Sequence, residues 1–167
     1  MTTDESFLEC EIQLLKKQIA KLTPASAMFR LTALTAPGSL SQSFILAPII
    51  TDSNRIFLDT SILLPTTINI TKPGKYNCFY HTNLFNDLST ETIGYTIVPT
   101  IDGQNITDLS NMAQFIGVDR STTSYAGLIK IDTATIANPA KLTLKLIAAS
   151  LNVTVNPGGN TITIETA

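Results

Sequence analysis

The stretch Leu142–Thr166, LTLKLIAASLNVTVNPGGNTITIET, decides the fold. Leu151, Val153 and Val155 alternate with Asn152, Thr154 and Asn156, and Ile162 and Ile164 alternate with Thr161, Thr163 and Glu165. A period of two sends successive side chains to opposite faces of a sheet. Between the two runs, Pro157-Gly158-Gly159-Asn160 is turn chemistry: proline presets φ, and glycine reaches positive φ at no steric cost. The reading is a hairpin with one apolar and one Thr/Asn face. A terminal strand stays ordered only when it is paired, so the last strand is expected inside a sheet.

Composition agrees. Charged residues make up 14% of the 167 residues, against about 25% in ordinary domains, and the chain holds 25 Thr. Low charge with abundant Thr, Ile and Leu favours strands. It also implies that apolar surface is covered by partner subunits. The net charge is −2 and Lys and Arg are scattered, which argues against neutralising nucleic-acid phosphates. Cys10 and Cys78 are far apart and unlike in setting, so neither a disulfide framework nor a zinc cluster follows. The opening residues lack a basic n-region, and no apolar run approaches the ~20 residues of a membrane span. The expectation is a protein made in a bacterial cytoplasm without a signal peptide or membrane insertion.

Residues 4–23 differ from the rest. Leu8, Ile12, Leu15, Ile19 and Leu22 step by 4, 3, 4 and 3, a heptad with Leu at d and Ile at a. Pro24 ends the helix. Residues 1–26 are read as a helical coiled-coil stalk or attachment segment, with those five residues as its seam. An amphipathic helix docked on its own domain or on another protein is the other reading. The seam is under three heptads long and an isolated helix of that length is marginal; Ile at a with Leu at d favours dimers, so the helix does not specify a trimer.

From residue 27 to 167, short alternating segments follow one another: 29–35, 43–50, 55–58, 67–70, 75–84, 92–101, 127–131 and 141–149, with turns at Pro37-Gly38, Lys72-Pro73-Gly74 and Asp102-Gly103. Residues 105–119 are the least strand-like and are expected to hold a loop or helical turn. Strands at this spacing make an antiparallel sandwich or barrel.

The segment Ile68-Asn-Ile-Thr-Lys-Pro-Gly-Lys-Tyr-Asn-Cys-Phe-Tyr80 resembles the central strand of trimeric jelly rolls of the complement/tumour-necrosis-factor-like superfamily, in particular its bacterial and phage branch. Tyr95-Thr-Ile-Val-Pro-Thr-Ile-Asp-Gly103 and the strand pair of Leu142–Thr166 follow in the order found there, so the resemblance spans residues 27–167. It implies an all-β, antiparallel TNF-like jelly-roll head on a short N-terminal helix. The head would be a compact non-enzymatic homotrimer with both termini near its base. Phage fibre, knob and decoration heads share this form, as do the heads of spore-surface collagen-like glycoproteins. No collagen-type triplets occur here, which favours a phage virion surface over a spore surface. The implied partners are a larger assembly (capsid, tail or spore surface) engaged through the helix, and a host-surface glycan or protein engaged by the head. No cofactor is implied.

Tyr76, Cys78 and Tyr80 share one parity on the central strand, opposite Asn77, Phe79 and His81. With Tyr95, Ile97, Leu144, Leu146, Val153, Val155, Ile162 and Ile164 they are candidates for the head core or the trimer interface. His81 is the only histidine, and no Walker loop, G-x-S-x-G or H-E-x-x-H occurs, so no catalytic or metal residue is assigned. Acids are spread singly, mostly at turns. An enzymatic or small-ligand role would require Tyr76, Tyr80, His81 and Asp residues of adjacent subunits to share a pocket.

Overall fold

The computed structural model describes residues 3–22, 24–35, 41–51, 54–59, 61–86, 92–116, 119–148 and 153–167. Leu151, Asn152 and the Pro37-Gly38 turn lie outside the described residues, as do the side chains of Ile19 and Leu22. A helix, α1 (Thr3–Leu22), precedes the strands β1 (Ser26–Leu34), β2 (Ser41–Ile50), β3 (Ile56–Leu58), β4 (Thr67–Ile70), β5 (Gly74–Asn86), β6 (Thr92–Ile101) and β7 (Gln104–Asn105). A 3₁₀ turn (Thr107–Leu109) then leads to β8 (Asn111–Ile116), β9 (Arg120–Ile131), β10 (Ala140–Ala148), β11 (Val153–Val155) and β12 (Thr161–Thr166).

All the strand pairings are antiparallel and make two facing sheets. The first runs β2, β1, β12, β5, β9, with β11 in line with β12 on β5. The second runs β3, β4, β10, β6, β8. β2 joins them: Ser41–Ser43 pairs β10, and Phe44–Ile50 pairs β1. The period-two pattern does its work here. Phe29, Leu31, Tyr76, Cys78, Tyr80, Leu84, Ile129, Ile162 and Ile164 of the first sheet meet Ile56, Ile68, Ile70, Tyr95, Ile97, Leu142, Leu144 and Leu146 of the second. Each large side chain buried this way contributes about 1.5–3 kcal/mol of transfer free energy. Asp102 (φ 49°) and Gly103 (φ 82°) both take positive φ in the two-residue β6–β7 turn, as the Asp-Gly pair predicts.

Three expectations change. The terminal stretch is not a hairpin. β10 belongs to the second sheet. β11 and β12 run in the same direction along β5, Val155 opposite Leu84 and Thr161 opposite His81. Five residues, 156–160, thus face only Thr82 and Asn83. The Pro-Gly-Gly segment makes an outward loop that returns to its own line, with Gly158 (φ 94°) and Gly159 (φ 77°) in conformations side chains rarely adopt. Asn160 closes it. Its Nδ2 donates to the carbonyls of Asn156 and Gly158, its Oδ1 accepts from the Asn83 N–H, and its own carbonyl accepts from the Leu31 N–H at 3.1 Å.

Residues 105–119 do hold a helical turn, at Thr107–Leu109, but 111–116 form a strand. They contain little β-branched character, but Phe115 is buried against Tyr95 (centroids 4.9 Å apart) and β6 supplies the ladder, so tertiary pairing overrides propensity. Finally, β9 begins seven residues before the expected Gly127, because β5 pairs with it from Phe85 to Gly74.

Asn160 is 2% exposed, so its truncation would leave buried backbone groups unpaired. Asn160→Ala is expected to lower unfolding free energy by about 2–4 kcal/mol, whereas Pro157→Ala costs under about 1 kcal/mol; urea denaturation of both variants measures this.

Candidate functional site

The sequence candidates on the strands fall inside the sandwich. Tyr76, Cys78, Tyr80, Tyr95, Ile97, Leu144, Leu146, Val153, Ile162 and Ile164 are buried in the core, and Val155 packs against it half-buried. They fill the space between the two sheets of one chain. The buried tyrosines end on polar partners of their own chain. The Tyr76 hydroxyl donates to the Lys72 carbonyl at 2.7 Å, and the Tyr95 hydroxyl lies 2.8 Å from Ser121 Oγ and 2.9 Å from Thr123 Oγ1. Burial raises the Tyr76, Tyr80 and Cys78 side chains above their ordinary pKa values, Cys78 to about 12. Tyr76 and Tyr80 alternate with His81 along β5; Tyr80 and His81 both border one depression, which neither Tyr76 nor any Asp of the same chain lines.

Tyr80 and Tyr125 stack with centroids 5.9 Å apart and hold the 3₁₀ turn between the sheet edges. Tyr80 donates to the Leu109 carbonyl at 3.1 Å and Tyr125 to the Asp108 carbonyl at 2.8 Å. Leu109 reaches into the space over Gly127, where a Cβ would stand 1.8 Å from its Cδ2. No sequence motif announced this plug; the glycine within a strand was its only signal.

The other face of the first sheet is the surface that remains. Register defines its rows. Ile50, Met28, Thr163, Phe79 and Ala126 are mutual partners across five strands. Ala47, Arg30, Thr161, His81 and Ser124 form the next row. On the other side lie Ser26, Glu165, Asn77 and Leu128. Phe79 is 42% and Leu128 50% exposed. Small side chains flank Phe79, leaving a shallow depression of about 360 Å³ lined by Phe79, Tyr80, His81, Ser124, Tyr125, Ala126, Thr161 and Thr163. His81 Nδ1 lies 2.6 Å from Ser124 Oγ, and its Nε2 lies beside Gly159. A second apolar surface lies on β8, which pairs only with β6 among the described strands: Met112 is 78% and Ile116 70% exposed. On α1, Leu8, Ile12 and Leu15 are exposed along with Phe7 and Leu14.

Among the described residues, no three His, Cys, Asp or Glu side chains group as metal ligands, and no helix is long and apolar enough to cross a membrane.

No family model matches the chain, and no curated protein matches it. Solved structures do. The crystal structure of murine APRIL at pH 8.0 superposes with a TM-score of 0.61 at 12% identity, covering 87% of this chain and 100% of that one. The same protein at pH 5.0 gives a TM-score of 0.61 at 13% identity with the same coverage. The likeness shows the fold: an all-β, TNF-like jelly roll preceded by a helix.

The two thiols differ in kind. Cys10 is exposed and Cys78 is buried. With a thiol-disulfide reagent near pH 8, one thiol per native chain, that of Cys10, is expected to react promptly, and two after denaturation; a fast second thiol in the native protein would contradict the placement of Cys78.

Proposed function

We propose that this chain is a non-enzymatic homotrimeric binding protein whose jelly-roll head is displayed on a particle surface, most simply as a fibre, knob or decoration protein of a phage virion. The observation that carries the trimer is the pair of unlike apolar surfaces: the Ile50–Met28–Phe79 row with Leu128 on the first sheet, and Met112 with Ile116 on β8. Monomers rarely leave such surfaces open. Two different patches that pair head to tail generate a ring when the rotation closes, and a ring of three agrees with the superfamily the sequence resembles.

The helix serves as stalk and attachment segment. Its Leu8, Ile12 and Leu15 edge is open in the single chain, and Ile19 and Leu22 continue the heptad in sequence. Residues 1–26 join neighbouring copies or dock on the capsid or tail, and residues 27–167 form the head that meets a host glycan or protein. The helix alone, offered as bait to disrupted parent particles, would retain the component to which the protein attaches.

Sedimentation equilibrium at micromolar concentration is expected to give three times the 18.0 kDa chain mass. Phe79→Glu places a charge in the covered row and is expected to give folded monomers with an unchanged far-ultraviolet spectrum. A wild-type mass of one chain would sink the trimer, and a trimeric Phe79→Glu would displace the interface from this face.

A further inference from the structure

We propose that the groove between the β6–β7 turn and β9 binds a neutral oligosaccharide by direct contact, without a metal ion. The inference deepens the reading above, in which the head meets a glycan or a protein, by giving the glycan a place and a chemical class. Both walls of the groove belong to one chain, so the site does not need a subunit contact.

The groove has a volume of about 590 Å³, within the range of small-ligand sites. One wall comes from the β6–β7 turn and the 3₁₀ turn, the other from Leu128, Ile129 and Lys130 of β9. The first wall is pinned by bonds to the rest of the head. Asp102 is tied to β10 twice: its N–H donates to the Lys141 carbonyl and its Oδ1 accepts from the Lys141 N–H, each at 2.9 Å. The Ile106 N–H donates to the Pro99 carbonyl at 2.8 Å. From β9, the Tyr125 hydroxyl donates to the Asp108 carbonyl at 2.8 Å. None of these bonds uses the side chains of Gln104, Asn105, Thr107 or Asp108, which belong to exposed residues along the groove. A site fixed in advance loses little free energy to ordering itself when it binds.

The residue types select the ligand. The Gln104 and Asn105 amides and the Thr107 hydroxyl each donate and accept, and the Asp102 and Asp108 carboxylates accept. Sugar hydroxyls on neighbouring carbons offer donors and acceptors side by side, which this mixture satisfies. Half-buried Ile106 adds apolar surface for the C–H face of a pyranose ring.

Charge and geometry set the other ligands aside. Two carboxylates disfavour sialylated or sulfated sugars, and the one lysine of the lining, Lys130, is paired with Asp132 at 2.7 Å. Among the described residues no three Asp, Glu, His or Cys side chains group as metal ligands, which disfavours a sugar held through calcium. A peptide adding as a strand would need a run of open β9 edge, and the 3₁₀ turn lies against β9 at Tyr125 and Gly127. Among the described residues no aromatic ring lines the groove, so each contact is weak and several copies on one particle supply the avidity.

The test is capture of the full chain, labelled on Cys10, by an array of immobilised neutral, sialylated and sulfated oligosaccharides, once with EDTA and once with calcium. Wild type is expected to be held by neutral oligosaccharides in both. An Asn105→Ala/Asp108→Ala double variant, with an unchanged near-ultraviolet circular dichroism spectrum, is expected to be held about tenfold less tightly, as the loss of two side chains' hydrogen bonds implies. Should that variant lose its near-ultraviolet spectrum, Gln104→Ala decides by the same comparison. No capture by neutral oligosaccharides, capture confined to sialylated or sulfated ones, capture that needs calcium, or a folded variant held as tightly as wild type overturns the proposal. Sedimentation of the same samples separates it from the reading above: a trimer that no neutral oligosaccharide captures overturns this site alone, and a monomer that one captures overturns the trimer alone.

Discussion

The insertion of β12 between β1 and β5 is the constraint on which the rest depends. Ala27 pairs with Ile164 on one side and Cys78 with Ile164 on the other, so the first and last strands and the longest described strand meet in one row. Such pairings close very long loops, whose entropic cost must be met by burial. The burial is supplied by Phe29, Cys78, Tyr80, Ile162 and Ile164, all within the core. The same insertion turns Thr163, Phe79 and Met28 outward as a continuous row. Core and contact surface are thus two sides of a single register, and a one-residue slip would exchange them.

Asn160 secures that register. Without its bonds to Asn83, Asn156 and Gly158, the loop between β11 and β12 would have no fixed length against β5. The wide bulge also carries Gly159 next to His81, whose Nε2 would stand 3.9 Å from a Cβ at that glycine. Structural and functional demands therefore converge on a few residues of β5 and β12.

Much of this was open to reading from residue order. Alternation in 75–84 and 161–165 separated inward from outward side chains, and the heptad of residues 8–22 set α1 apart. What could not be read has physical causes. Pro157-Gly158-Gly159-Asn160 specifies a change of direction, but whether the chain reverses or returns to its own line depends on what Asn160 bonds, and those partners lie 77 and 129 residues away in Asn83 and Leu31. β8 lacks intrinsic strand preference and exists because β6 offers it a ladder. The core-or-interface ambiguity of Tyr76, Cys78 and Tyr80 could not be settled by parity, since parity names two faces and not which one is covered by the same chain. The outer-face residues Phe79, Met28 and Ile50 come from three distant segments, and only register joins them.

The central claim is that this outer face and the outward side of β8 are buried against each other between copies. Hydroxyl-radical footprinting of the native protein tests it most directly, with Leu63, 92% exposed on the β3–β4 loop, as the internal reference. Relative to the urea-unfolded chain, Met112 and Phe79 are predicted to be labelled many times more slowly while Leu63 is labelled nearly as fast. Labelling of Met112 in the native protein at the rate of the unfolded chain, as its 78% exposure in a lone chain would give, contradicts the account.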